Sequence, residues 1–341
     1  GAVAAIVWVV QGRPWRIASS GLRPVLHAAT RAQIAVTLAL IPATVLLFHQ
    51  LSIVSPLANA MAIPIVSWAV TPLALLGAAL VMLPAPASLL AEPVLGAADA
   101  IFAIMASVLQ WAASFAWANM PVASPPLVLV TLAAIGVMWL LAPPGWPVRA
   151  AGAVAMLPMF VWPATRAAED EVWVTALDVG QGSALLIETR NQAWLYDAGP
   201  RYSADTDAGE RLILPYLRHR GIGRLDGLIV SHLDSDHSGG AASILRAIAV
   251  DRVISSIAPE HPMLGARAHV ERCAAGMQWS SGSLTFAVLH PALVDYEAKR
   301  TTNAMSCVVL ITFGATRVLL TGDVTLPDES ALLARTPAVR V

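Results

Sequence analysis

The chain has 341 residues, 57% apolar and 13% charged, with a formal net charge of −1 at pH 7. Soluble globular domains are about half apolar and about a quarter charged, so disorder, collagen-like repeats and an ordinary soluble fold throughout are excluded, and two cysteines are too few for a disulfide scaffold. Residues 1–168 hold 6 Lys/Arg and 2 Asp/Glu (+4), leaving 15 and 20 (−5) for residues 169–341, which predicts two domains with different solvents.

Gly1 opens an apolar run over residues 1–10 with no charged stretch before it, so it reads as the interior of a longer protein rather than as a signal peptide; Val341 reads no more like a natural end. A basic loop at 11–31 follows, with Arg13, Arg16, Arg23 and Arg31. Crossing a bilayer takes about 20 apolar helical residues, and residues 32–48, 56–83, 97–118 and 126–142 approach or exceed that, with 150–163 as a short fifth candidate. Pro56, Pro64 and Pro72 fall in the second of these, a density that membrane helices accommodate better than soluble ones. Trp111, Trp117, Trp139, Trp146 and Trp162 lie near the proposed ends, as interfacial anchors do. The positive-inside rule places the 11–31 loop in the cytoplasm; five crossings then put residue 164 onward on the outer face and Arg149 on the inner side. Of the polar residues Gln33, His49, Gln50, Asn59 and Asn119, Asn59 is the one inside a proline-broken span, where an interhelical hydrogen bond or a pathway lining are the two readings.

From Glu171 the pattern changes to period-two strands at 172–180, 183–189, 193–199, 226–232, 251–256, 284–290, 306–313 and 317–323, with helical periodicity at 211–221 and 239–249. Strand pairs interleaved with helices predict a two-sheet α/β sandwich. Asp178, Asp197, His232, His290 and Asp323 each close an apolar strand, where side chains converge on a sheet edge. One strand runs into Ser231-His-Leu-Asp-Ser-Asp-His-Ser-Gly-Gly240, which holds His232, Asp234, Asp236 and His237 within six residues. Imidazoles and carboxylates so dense on a glycine-closed turn suit a borderline-to-hard divalent ion; the competing reading is a polar loop in which Asp234 or Asp236 caps a helix. Arg211, Arg218, Arg220 and Arg224 surround the 211–221 helix and read equally as phosphate contacts or a solvated face. Neither cysteine fits a ligand pattern: Cys307 reads as a small buried apolar residue and Cys273 is uninformative, with a disulfide between them a minor alternative for a domain on the outer face.

The pattern H232-x-D-x-D-H237 resembles the HxHxDH signature of the metallo-β-lactamase superfamily, with Asp234 in the place of its second histidine. DVGQG (178–182), YDAG (196–199), ILPYLRHRGI (213–222), SHLDSDHSGG (231–240), LHP (289–291), NAMSCVVL (303–310) and LLTGD (319–323) together resemble the C-terminal domain of the ComEC family of DNA-internalisation competence proteins. SPLANAMAIPIV (55–66) resembles that family's transmembrane competence domain. The resemblance implies a multi-domain chain: a helical transmembrane bundle at 1–163, a linker at 164–171 and an αββα metallo-β-lactamase-like sandwich from 172 to 341. It implies His232, Asp234 and His290 on one metal, Asp236 and His237 on a second, and Asp323 bridging. Asp178 and Asp197 then become hydrogen-bonding supports, while Asn303 and Ser306 orient phosphate or buttress ligands. Two departures stand out. Ser183 occupies a position the family often fills with Asp, and a downstream HHGS motif is not reached before Val341, so the expectation is one strong metal site, a weaker second and poor catalysis.

The implied function is DNA uptake in natural transformation. Single-stranded DNA passes through a multi-pass channel in the cell membrane, and an outer-face nuclease using two divalent metals degrades the complementary strand, with Asp236, His237 and Asp323 catalytic. Other competence proteins are implied as partners. Asp234 hardens its site, so Mn²⁺ rivals Zn²⁺. Two alternatives differ in class: a membrane-anchored metallohydrolase acting on small esters or lactams, and a DNA pore whose metal module is inactive.

Overall fold

In a computed structural model the chain is described over residues 22–115, 117–143, 145–264 and 270–335. The opening apolar run, Arg13, Arg16 and Val341 lie outside those residues. The chain divides into two compact units, Gly1–Trp162 and Pro163–Val341.

The first unit is helical: α1 (Leu22–Phe48), α2 (Ser55–Val81), α3 (Ala87–Ala113), α4 (Leu127–Leu140) and α5 (Ala151–Val161). Three segments, His27–Phe48, Ser55–Val81 and Ala87–Ala113, are long and apolar enough to cross a membrane; α4 and α5 are apolar but shorter. The third begins ten residues before the 97–118 stretch read from sequence. Pro93 sits in the first turn of its α-helical part, where an N–H has no partner to lose, so it does not stop the helix. In α2, Pro56 occupies the first turn, and a π turn at Val66–Val70 precedes Pro72, whose ring and missing N–H disturb the preceding carbonyls. Helices α4 and α5 meet at Gly136 and Gly152, where an added Cβ would lie 2.6 Å and 2.3 Å from the facing carbonyl oxygen. Beside them, Val45, Val130, Ala133, Val137, Met156 and Met159 form the unit's core. One piece is not helical: β1 (Gln50–Ser52) pairs antiparallel with β2 (Asn119–Pro121).

The second unit is built on two sheets. Strands β3 (Trp173–Ala176), β4 (Leu185–Glu188), β5 (Ala193–Tyr196), β7 (Gly227–Val230), β9 (Val253–Ser255) and β10 (Val270–Arg272) make a six-stranded sheet in the order β10-β9-β7-β5-β4-β3, parallel from β10 to β5. Strands β11 (Gln278–Ser281), β12 (Leu284–His290), β13 (Val308–Phe313) and β14 (Thr316–Leu320) form an antiparallel four-stranded sheet. A short parallel pair, β6 (Arg224–Leu225) with β8 (Ala249–Val250), stands apart. Alternation along the buried strands feeds two cores. Ile187, Trp194, Tyr196 and Ile229 face Phe286, Val309 and Ile311 between the sheets, while Leu186, Leu195, Leu228 and Val230 face Ile213 and Leu217 around α6 (Leu214–His219) and Ile244 of α8 (Ala241–Ala247). Between β7 and α8 lies the single turn α7 (Ser235–Ser238), and α9 (Leu326–Arg335) follows β14.

Cys273, just past β10, and Cys307, just before β13, are joined by a disulfide with Cα atoms 6.0 Å apart, which ties one sheet to the other. Both are fully buried, so the reading of Cys307 as an unattached apolar residue gives way to a cross-link that their 34-residue separation did not announce. The four arginines around α6 are engaged within the fold. Arg211 lies over Tyr202, Arg220 over Trp173 and against buried Glu188, Arg224 pairs with Asp251, and Arg218 is partly buried beside Glu210.

Candidate metal centre

Strand β7 is apolar and buried throughout, so it carries the chain through the core and delivers Ser231 and His232 to the sheet edge, both fully buried. The loop then turns at once. Asp234 stands at the N-cap of α7 without capping it, which leaves its carboxylate to face His232, Oδ2 lying 3.7 Å from Nε2. Gly239 and Gly240 let the turn close on the β5 end; a Cβ at either would lie 2.2–2.3 Å from backbone atoms of Arg201 and Ala198. Gly182, at φ +129°, presses on the other side, where an added Cβ would lie 2.1 Å from the Asp236 carbonyl oxygen.

His232, His237 and Asp323 bring ligand atoms within 4.8 Å of one another. The two rings are 4.3 Å apart between centroids. Nε2 of His237 is 3.2 Å from Asp323 Oδ1 and 3.9 Å from Asp236 Oδ2. Three carboxylates and two imidazoles thus converge beside a cleft of about 350 Å³ lined by Gly182, Ser183, Tyr196, Asp236, Thr321 and Asp323.

The protonation of both rings follows from the groups behind them. Asp197 ends β5 in the left-handed region, φ +61°, and is fully buried. Its Oδ1 accepts the Ser231 N–H at 2.7 Å, and its Oδ2 accepts the Ser231 hydroxyl at 2.9 Å and His237 Nδ1–H at 2.7 Å. With its proton given to Asp197, the Ser231 oxygen accepts from His232 Nδ1–H at 2.9 Å. Both histidines therefore turn an Nε2 lone pair outward, and His232 Nε2 is a buried atom with no hydrogen-bond partner. A buried orphan acceptor among carboxylates is what a cation satisfies, so the donor set fits a divalent ion. Burial lowers the His232 pKa, with the neighbouring His237 adding to that. Burial also disfavours the His237 imidazolium, but the Asp197 hydrogen bond and charge, with Asp323 and Asp236, raise its pKa overall. Burial pushes the Asp197 carboxyl up against the opposing pull of His237 and Ser231.

Ser306 joins the same framework: its hydroxyl accepts the Asp323 N–H at 3.1 Å and lies 3.4 Å from His232 Nδ1. His290 stands differently. Its Nε2–H donates to the Ala304 carbonyl at 2.8 Å, and it is not part of the converging trio. Asp178 is exposed and accepts the Gly180 N–H at 3.3 Å, an Asx turn on its own loop. Asn303 opens the short 3₁₀ turn Asn303–Met305, whose Ala304 carbonyl holds His290. Ser231 was not among the residues singled out from sequence; its one signal is a hydroxyl immediately before the first histidine.

Two family models match the chain: Competence protein over residues 1–147 and Metallo-beta-lactamase superfamily over residues 177–339. The chain is 34% identical to "Competence protein ComA" of Neisseria gonorrhoeae over 98% of its own length and 44% of that protein's. It is 40% identical to "Recombination protein 2" of Haemophilus influenzae over 48% of its length and 19% of that protein's. It spans less than half the length of these relatives. Among solved structures, the metallo-β-lactamase SMB-1 matches 50% of this chain and 74% of its own at 15% identity and TM-score 0.32.

Proposed function

The chain belongs to the competence proteins, joining their family domain to a metallo-β-lactamase-superfamily domain, and from that membership we propose that it acts in DNA uptake during transformation. In this reading the helical unit crosses the membrane several times as part of a path for single-stranded DNA, and the second unit is a metal-dependent nuclease for the strand left outside. The observation that carries the nuclease is the outward-facing Nε2 pair of His232 and His237, held among Asp234, Asp236 and Asp323. Asp323 would hold the metal with them, whereas His290, whose Nε2–H is given to the Ala304 carbonyl, would join only if that hydrogen bond were released. The buried cross-link between Cys273 and Cys307 supports an oxidising surrounding, hence a second unit on the outer face.

Divalent metals bound there supply an activated water and neutralise charge on a phosphodiester. The chain's own groups do the rest. Asp197 and Ser231 hold the Nδ1 protons, so each neutral ring would offer Nε2 to a cation; His237, whose pKa Asp197, Asp323 and Asp236 raise, would release its Nε2 proton as the cation binds. Ser306 holds Asp323 through its backbone N–H. Ser183 and Thr321 line the cleft as polar neighbours for phosphate oxygens. Mn²⁺ and Zn²⁺ both suit a donor set of imidazoles and carboxylates.

The test is hydrolysis of end-labelled DNA by the purified protein with Mn²⁺ or Zn²⁺. Cleavage lost in Asp236→Ala and Asp323→Asn supports the nuclease. Turnover of lactams or small esters with DNA untouched, or full metal loading with no turnover at all, overturns it.

A further inference from the structure

The bond between Cys273 and Cys307 lies directly behind the metal centre. Cys307 stands between Ser306 and Val308, the first residue of β13, and its neighbours belong to the framework of the site. Its N–H donates to the Ser231 carbonyl at 2.8 Å, and its own carbonyl accepts the Tyr196 hydroxyl at 2.8 Å. Ser231 holds Asp197 and His232. Ser306 holds Asp323 through its N–H and lies beside His232. Tyr196 adjoins Asp197 and lines the cleft. Gly322 is wedged against the same two serines, where an added Cβ would lie 3.0 Å from Ser231 and 3.1 Å from Ser306, so the backbone that carries Asp323 moves with them. The supports of His232, His237 and Asp323 thus converge on one residue, Cys307.

The chain leading to Cys307 is lightly tied. Residues 291–306, which arrive from β12, hold two short 3₁₀ turns and no strand, and 297–302 are exposed throughout. Pairing of β12 with β13 is irregular at this end, with a register shift between Val288 and His290 before His290 meets Val308. Cys273 is anchored more firmly. Its N–H donates to the Ser255 carbonyl of β9 at 2.8 Å, its carbonyl accepts the Tyr296 hydroxyl, and Ala275 N–H donates to the Pro291 carbonyl at 2.7 Å. Two separate thiols need more room than a bonded pair, and both residues are fully buried in the core between the sheets, where close packing leaves no slack. Cys307, the less anchored of the two, is the one that shifts when the bond is missing.

We propose that Cys273 and Cys307 are positioning residues of the metal centre. Their bond holds Cys307, and through it Ser231, Ser306 and Tyr196, where the two histidines and Asp323 can share an ion, so the second unit takes up metal tightly only after the pair is oxidised. The proposal rests on the reading of these residues as a metal centre. In the oxidation two thiols become one disulfide, two protons leave, and two electrons pass to a disulfide-bonded oxidant that is released as two thiols. Because the bond is buried, it forms before the sheets close and is not a toggle of the folded protein. In a reducing compartment the unit stays poorly metallated, which withholds its chemistry until it has left that compartment.

The test compares metal binding by the purified full-length protein with that of Cys273→Ala combined with Cys307→Ala, and of Leu284→Ala. Leu284 is fully buried in the same core but opens β12, at the end away from His290, so its truncation lowers stability without touching the site. In competition against a chromophoric chelator, the double variant is expected to lose roughly tenfold or more in Zn²⁺ affinity, while Leu284→Ala melts lower and binds as the parent does. Should the double variant not fold, Cys273→Ser, whose hydroxyl has the His290 carbonyl to donate to, is expected to show the same loss for Mn²⁺, an ion that a free thiol does not attract. Parent protein made in cells unable to form disulfides, with both thiols verified by alkylation, is expected to share that deficit. Parent affinity in the folded double variant or in the reduced protein overturns the proposal. So does an equal loss in Leu284→Ala, which would make the bond a matter of stability alone. An oxidised parent that binds neither ion removes the metal centre and this proposal with it; one that binds metal as expected and never cleaves DNA sinks the nuclease and leaves this proposal standing.

Discussion

Asp197→Asn isolates the hydrogen-bond logic behind the two histidines. The native carboxylate accepts three hydrogen bonds, from the Ser231 N–H, the Ser231 hydroxyl and His237 Nδ1–H. An asparagine amide whose oxygen keeps the Ser231 N–H must turn its NH₂ toward the other two. His237 Nδ1 then accepts, and its proton moves to Nε2, beside Asp323. The Ser231 hydroxyl, now accepting from the amide, donates to His232 Nδ1, which puts the second ring's proton on Nε2 as well. Both lone pairs facing the carboxylates are lost by one near-isosteric change. Supports of metal-binding histidines are typically worth 10–100-fold in affinity, or about 1.4–2.7 kcal/mol, and the upper end is expected because two ligands are affected. Competition against a chromophoric chelator with Zn²⁺ and Mn²⁺ measures it, with circular dichroism to establish folding. Asp178→Asn, which alters only a local turn, is the control and should bind as the parent does. A folded Asp197→Asn protein with undiminished metal affinity would refute the tautomer argument.

Two further outcomes follow from the packing. Gly182→Ala should displace the Asp236 loop and cost at least tenfold in metal affinity, because its Cβ would lie 2.1 Å from a carbonyl oxygen; Gly180→Ala, with nothing within 4 Å, should bear only the backbone cost of its positive φ, about 1–2 kcal/mol of stability seen in denaturant titration. Removing the cross-link by Cys273→Ala and Cys307→Ala together should destabilise the second unit by about 4 kcal/mol, from the 34-residue loop it closes. Differential scanning calorimetry should then show its melting temperature roughly 8–16 °C lower, and an unchanged melt would mean that the bond closes no loop of consequence.

The donors were legible because they are local: His232, Asp234, Asp236 and His237 share one turn, and the alternation of the strands predicted that Asp197 and Asp323 would meet them at the sheet edge. Ser231 was not legible, since its role depends on Asp197 arriving from a strand 34 residues earlier. Nor was the orientation of His290, which is set by the Ala304 carbonyl across the sheet-edge loop. In the helical unit, hydropathy found the long segments but placed the start of the third ten residues late. The β1–β2 ribbon escaped notice for another reason. Two three-residue strands separated by 66 positions leave no periodic trace, and only the pairing of Gln50, Leu51 and Ser52 with Pro121, Met120 and Asn119 reveals them.

The chain just before β3 has a practical bearing on how the protein is divided for study. Arg166 donates to the Gly221 carbonyl at 3.1 Å and lies 3.8 Å from the carboxylate of Glu188, while Ala167 is 2% exposed. Glu188 is itself buried and leans on Arg220 as its nearer counter-charge. An expression boundary drawn at residue 172 would strip away one of two guanidinium groups and uncap a patch of the interior. A boundary drawn at Pro163 keeps both, and a soluble preparation begun there should be the one that stays monodisperse.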